Sequence, residues 1–251
     1  MTEPKYRECS IANINEYIKC IGKEKSRLEK AGNKVDLIFR GQTCCDDDLV
    51  PKIVRLIPHG PLLGVEQLII TDFKRKYLPF VDNKEMDEWN VLALAQHHGL
   101  PTRLLDWTYS ALTALWFAVK DQAKKDVDVD KDGVVWVFSP SVEDYHEQDI
   151  DSSPYSIKET KVFRPKHVGQ RITAQAGLFT AHVMSDDRGA SRIEKLKRYS
   201  SKLVKVNVMA ASFPKLRKEL HMLGVNHASM VPDLDGLCKH LEWRFFDRKI
   251  E

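Results

Sequence analysis

Gln96-His97-His98-Gly99-Leu100-Pro101-Thr102-Arg103-Leu104-Leu105-Asp106-Trp107-Thr108 sets two histidines, an arginine, an aspartate and a threonine between two apolar runs. Leu92-Ala93-Leu94-Ala95 precedes the block, and Ala111, Leu112, Ala114, Leu115, Trp116, Phe117 and Ala118 follow it. Polar groups in such surroundings must be hydrogen-bonded or paired, because burying one alone costs roughly 2–7 kcal/mol. They either fix the architecture or build a site. The run before the block reads as a helix over 84–98 with Trp89, Leu92 and Ala95 inward. The run after it reads as a helix over 109–120, apolar nearly all round and therefore buried. The block itself reads as a polar loop entering that second helix, with Asp106 or Thr108 as its cap.

Working outward, Ser10 is placed to cap a helix carrying Ile11, Ile14, Tyr17, Ile18 and Ile21, ended by Gly32-Asn33. Val35 to Arg40 reads as a short buried strand closed by Gly41, and Asp46-Asp47-Asp48 as a turn that starts a helix. Residues 64–80 read as a helix with Leu68, Ile69, Phe73 and Tyr77 along one face. Gly133 to Phe138 is the clearest strand, β-branched and aromatic, with Ser139-Pro140 as its stop. Residues 171–183 have strand character around Gly177, and Leu203 to Val208 alternates as a half-exposed strand. Two helices close the chain, Pro214 to Leu223 stopped by Gly224, and another from Asp233, its N-cap, to Phe245. The pattern implies an α+β fold, a central mixed or antiparallel sheet of short strands flanked by helices. Residues 1–34 are expected as an N-terminal helix and residues 35–251 as the main unit, together one large domain.

The 251 residues carry a net charge of only +3, which argues against a wholly electrostatic nucleic-acid binder. Lys195, Lys197, Arg198, Lys202 and Lys205, with Arg188 and Arg192, form a local basic cluster. Its default reading is a solvated face; the other is a protein or nucleic-acid target surface over 188–205. Five cysteines have no metal-ligand spacing and leave one over. With no signal peptide in view, this pattern is expected of free thiols in a reducing cytoplasm. No apolar run approaches the roughly 20 residues of a membrane span, so no membrane partner is expected.

Phe39-Arg40-Gly41-Gln42, the Gln96–Thr108 block and Ala114-Leu115-Trp116-Phe117-Ala118 together resemble the FRG-domain family, named for its aromatic-Arg-Gly signature. The resemblance continues through Arg171 to Thr180, Leu223-Gly224-Val225 and Pro232 to Leu237. It thus covers roughly residues 35–245. Its members recur among bacterial and phage proteins in settings that suggest defence against phage. The resemblance therefore implies an effector role in phage–host conflict.

Arg40, at a strand end and followed by glycine, has two readings: an internal ion pair with Asp106 or another carboxylate, or an anion clamp that Gly41 lets a ligand approach. His97 and His98 diverge on a helix, so one is expected to face a cleft as a general base or ribose binder. With no third ligand at i+4, no metal is expected there. Arg103 and the N-terminus of the helix after Thr108 suit a phosphate, and Trp107 is read first as a packing anchor. Arg171, Thr173 and Gln175 would share one strand face. The layout is also similar to that of ADP-ribosyltransferases. There an early-strand arginine or histidine contacts NAD, a Ser/Thr-bearing element supports the ribose, and a late-strand carboxylate or glutamine assists transfer. That similarity assigns catalytic roles to Arg40, His97, Thr108 and Gln175. It assigns ligand contacts to Gly41, Gln42, His98, Arg103, Asp106, Trp107 and Arg171, with NAD as the cofactor. A non-enzymatic module that senses a nucleotide or a phage component is the alternative.

Overall fold

The computed structural model describes residues 6–32, 36–56, 61–81, 86–120, 131–146, 153–166, 175–186 and 189–247. Its centre is the pair of strands that the sequence marks best. β4 (Gly133–Phe138) and β9 (Leu203–Val208) pair antiparallel over six residues, from Gly133↔Val208 to Phe138↔Leu203. β2 (Ile38–Gln42) adds to the other edge of β4, and β1 (Arg7–Ile11) adds parallel to β9. β3 (Leu104–Thr108), β6 (Gly177–Ala181) and β5 (Lys161–Phe163) continue beyond β2. The order is β1-β9-β4-β2-β3-β6-β5, a mixed seven-stranded sheet, and β7 (Met184–Ser185) and β8 (Gly189–Ala190) make a small separate hairpin. The architecture is α+β, as the patterning implied.

β3 was not legible in the sequence. Its five residues were expected to be a loop, yet they form a strand near the middle of the sheet, paired along its whole length with β6. A strand this short, buried at four of its five residues, shows no clean alternation, which removes the usual signal. The cap of the following helix α5 (Ala111–Val119) is accordingly Ser110, whose side chain accepts from Thr113 N, and not Asp106 or Thr108. A second correction lies at the N-terminus. Ser10 belongs to β1, and the cap of α1 (Ile14–Lys30) is Asn13, which accepts from Glu16 N. Residues 6–32 therefore contribute an edge strand as well as a helix. Cys9 on β1 and Cys20 on α1 are joined by a disulfide, where free thiols were expected; Cys44, Cys45 and Cys238 are free.

α2 (Lys52–Arg55) begins at Pro51 with no side-chain cap, so Asp46 to Asp48 form a turn but not a helix start. Asp48 instead meets Arg192 at 2.9 Å. In α3 (Leu62–Lys76) the buried positions are Leu62, Glu66 and Ile70, while Leu68 is 72% exposed. Tyr77 is buried and Phe73 packs against the core as expected, so of the expected face Leu68 alone points to solvent, and the buried Glu66 takes an inward place that residue type did not suggest. α4 (Glu88–His97) turns Trp89, Leu92 and Ala95 inward as expected, capped by Asp87. After α6 (Lys197–Ser200) come α7 (Phe213–Met222), ended at Gly224 with φ +80°, α8 (His227–Met230) and α9 (Leu234–Glu242), capped by Asp233.

α1, α5 and α7 cover one face over Phe39, Val135, Val137, Val204, Val206 and Val208. α5 comes very close to the sheet there. A Cβ on Gly41 would lie 1.9 Å from the Ala114 carbonyl, so glycine is the one residue that fits. α3 and α4 pack on Leu104, Phe163, Phe179 and Ala181. Because side chains alternate along a strand and Phe39 is paired with Thr108, Leu104, Asp106 and Thr108 point to the face that Phe39 shares. The opposite face is filled by Ile38, Leu105, Trp107, Trp136, Phe138 and Leu178 under Leu49, Ile193 and Tyr199.

Candidate functional site: an opening in the sheet bridged by Arg40

β2 and β3 share a single register pair, Phe39↔Thr108. β2 stays paired with β4 through Gln42, and β3 stays paired with β6 back to Leu104. Beyond that one pair the two central strands therefore part, and the sheet opens. Arg40 reaches into the opening. Its Nη1 donates to the Asp106 carbonyl at 2.9 Å and lies 3.8 Å from Asp106 Oδ2. A backbone carbonyl left by an interrupted ladder needs a donor, and the guanidinium supplies it. The Arg40 Nε is buried and makes no hydrogen bond among the described residues. Burial pulls the guanidinium down to about 10, opposed by Asp106, so it remains charged at neutral pH.

Asp106 faces outward. Its side chain is 56% exposed, although its strand has neighbours on both sides. Gln96, at the end of α4, donates from Nε2 to Asp106 Oδ2 at 2.9 Å, and Thr102 donates to Gln96 Oε1 at 2.8 Å. This relay fixes one carboxylate oxygen, Oδ2, of a side chain that is otherwise open to solvent. Arg55 adds positive charge nearby, which pushes the Arg40 guanidinium further down.

Of the other expected site residues, Thr108 and Gln175 lie together but are engaged. Thr108 Oγ1 donates to the Gln175 carbonyl at 2.5 Å and accepts from Ser110 N, while Gln175 Nε2 donates to the Met230 carbonyl. Gly41 lies beneath α5, and Gln42 Nε2 reaches the Asp48 carbonyl at 3.4 Å. His97 and His98 face each other edge-on, centroids 5.0 Å apart. Trp107 is a packing residue, 2% exposed, with Nε1 donating to Thr180 Oγ1. Arg103 belongs to a different cluster. Its backbone N, Nε and Nη2 all donate to the fully buried Glu66 of α3, the last at 2.6 Å, and its Nη1 donates to the Pro154 carbonyl. Arg171 and Thr173 lie outside the described residues.

The basic segment is largely committed within the protein. Arg198 and Lys202 both pair with Asp144, which is fully buried. Burial alone would raise that carboxyl, but the Lys202 and Ser141 donors outweigh it and hold it below its ordinary range. Arg192 is held by Asp48, and the Lys205 ammonium sits over the Trp136 ring. Arg188 lies outside the described residues. Among the described residues no cluster of histidine, cysteine and acidic side chains could hold a metal, and no helix is long and apolar enough to cross a membrane.

Sequence reading missed Glu66 and His182. His182 is fully buried beside Arg40, with Nδ1 on the Ser191 carbonyl and Nε2 on Thr180 Oγ1. A carbonyl only accepts, so Nδ1 carries the proton and the Thr180 hydroxyl donates to Nε2; Thr180 in turn accepts from the Trp107 indole. The alternation of Leu178-Phe179-Thr180-Ala181-His182 was the available signal, since Thr180 and His182 fall on one face.

Residues 35–127 match the FRG domain family model. The Phe39-Arg40-Gly41 triplet falls inside this match. The match contains β2, α2 to α5 and β3, hence Arg40, Gly41, Gln96, Asp106 and the whole opening. The later segments with the same resemblance, from Arg171 onward, lie beyond it. No curated protein and no solved structure gives a significant match. Within the FRG signature the aromatic residue fills the core, the arginine bridges the parted strands and the glycine admits α5.

Two consequences are measurable. Arg40 holds the Asp106 carbonyl more closely than its exposed carboxylate, so Asp106→Ala leaves that bond in place. It should lower unfolding stability by less than about 1 kcal/mol, the range of exposed pairs. A loss of several kcal/mol in urea denaturation would contradict this geometry. His182, pushed down to about 4 by burial, stays neutral when folded but titrates near 6.5 when unfolded. The unfolded state binds more protons between these values, so stability falls as pH drops from about 6.5 toward about 4, by roughly 3 kcal/mol in full. His182→Gln should flatten that part of the stability–pH curve; an unchanged slope would show that other groups produce it.

Proposed function

We propose that the opening between β2 and β3 binds a phosphate-bearing nucleotide, with NAD the favoured candidate. The observation that carries this reading is the pairing of a partly buried arginine, whose buried Nε is unmatched among the described residues, with a fixed, half-open carboxylate in one break of the sheet. A guanidinium suits phosphate oxygens. A carboxylate with one free oxygen suits ribose hydroxyls or a cationic ring such as nicotinamide. The FRG match covers both residues, and the phage-defence setting associated with that family gives such a site a place as a nucleotide sensor.

A second reading, ADP-ribosyl transfer by an NAD-consuming effector, is favoured by one observation. Arg40, Thr108 and Gln175 stand on or directly before the adjacent strands β2, β3 and β6, with Phe39↔Thr108 and Thr108↔Gly177 in register. Against it stand the engaged Thr108 hydroxyl and Gln175 amide, and the lack of a carboxylate at position 175. Binding without turnover is therefore the primary reading.

Calorimetry with NAD tests it. Wild type should bind. Arg40→Lys keeps the charge but loses the planar fork, so affinity should drop about tenfold or more. Asp106→Asn should weaken binding with no change in melting temperature. Release of nicotinamide would promote the transferase reading. A folded wild-type protein that binds neither NAD nor ATP would overturn both.

A further inference from the structure

A second arginine is held by hydrogen bonding and ring contacts, with no acid paired to it among the described residues, at the far end of β3. β3 and β5 both run antiparallel to β6, so both chains leave the sheet at the N-terminal end of β6. Tyr109 follows β3 and Arg164 follows β5. Arg164 Nε donates to the Tyr109 hydroxyl at 2.7 Å. Its guanidinium lies 4.3 Å from the Tyr145 ring centroid and 5.7 Å from that of Tyr109. Tyr145 is itself anchored by a bridge to Val162 of β5.

The corner is backed by a stiff turn. Ala176 has φ +46° and is the one non-glycine residue with a left-handed backbone among the described residues. Its carbonyl accepts the Tyr109 N–H at 3.0 Å, and the preceding Gln175 carbonyl accepts the Thr108 hydroxyl. Left-handed backbone in a non-glycine residue persists only where the surroundings enforce it, and such positions gather at ligand sites.

Arg164 is exposed, yet it is fixed by two aromatic rings and a hydroxyl where most surface arginines are free to move or are paired with a carboxylate. No ion pair joins it to an acid among the described residues. The Tyr109 hydroxyl, pushed up to about 12 by burial, stays protonated. The corner thus presents the outer edge of a planar cation whose ordering is already complete. Ordering an arginine side chain costs up to about 2 kcal/mol, and a ligand meeting this one does not bear that loss again.

The geometry points to an oxyanion-binding site at Arg164, braced by Tyr109 and Tyr145, that takes the phosphate or carboxylate group of a small ligand. It is separate from the nucleotide opening at Arg40 and does not depend on it. The test is an NMR titration of the full chain, following the Tyr109 amide, with inorganic phosphate, acetate and chloride at matched ionic strength. A saturable shift with phosphate or acetate but not with chloride is expected, and the stronger of the two identifies the group recognised. Arg164→Lys keeps the charge and loses the fork, so affinity should fall about tenfold. Tyr109→Phe, which loses the brace but keeps the ring, should weaken binding about threefold, the loss of a modest hydrogen bond. Asp106→Asn should leave the titration unchanged. An equal response to chloride, an Arg164→Lys protein that binds like wild type, or loss of the shift in Asp106→Asn would each overturn the proposal.

Discussion

The bond from Arg40 to the Asp106 carbonyl is the interaction on which the central part of this structure turns. The seven strands form two well-paired blocks, β1-β9-β4-β2 on one side and β3-β6-β5 on the other. One register pair joins the blocks directly. A hydrogen bond from a charged donor is worth up to roughly 1.5–3 kcal/mol, enough to help hold an opening that the backbone ladder does not close. The same geometry makes the opening polar, because the guanidinium has more donors than the carbonyl can use. Architecture and binding capacity thus come from one residue, so the two readings of Arg40, structural link and anion clamp, are compatible.

The fully buried Arg103 shows the contrast. Arg103 directs donors to both oxygens of Glu66 and one to the Pro154 carbonyl, with the Tyr155 ring at 4.7 Å. Nothing in that arrangement is left for a ligand. Removing one member of such a pair leaves a buried charge uncompensated, which typically costs about 3–5 kcal/mol. It staples α3 to the start of β3 and so fixes the turn that carries Gln96 and Thr102. Of the polar residues in the Gln96–Thr108 block, then, Arg103 serves the frame, Asp106 serves the opening, and Gln96 and Thr102 connect them.

The sequence exposed the strongly paired elements and hid the interrupted ones. β4, β9, α5 and the Asp233-capped helix were readable because their apolar periodicity or capping chemistry is complete within the segment. β3 was not, because Leu-Leu-Asp-Trp-Thr is short and its one exposed residue sits where alternation would be read as a loop. The face of α3 was read correctly at Phe73 and Tyr77 but not at Leu68, and its buried glutamate was missed because that residue type is usually assigned to solvent. Arg40 and Asp106 could be named as candidates from residue type alone. Their partners could not: a hydrogen bond to a backbone carbonyl has no signature in side-chain chemistry, and the Gln175 amide gives no hint that it turns toward Met230.

Hydrogen–deuterium exchange of Arg40→Lys against wild type tests the central claim most directly. If the guanidinium holds the two strand blocks together, the shorter reach of lysine should speed exchange in β2 and β3. β4 and β9, whose ladder is complete, should exchange as before. Unchanged protection in β2 and β3, or an acceleration spread evenly over the whole sheet, would show that the Arg40 bridge is not what joins the two halves.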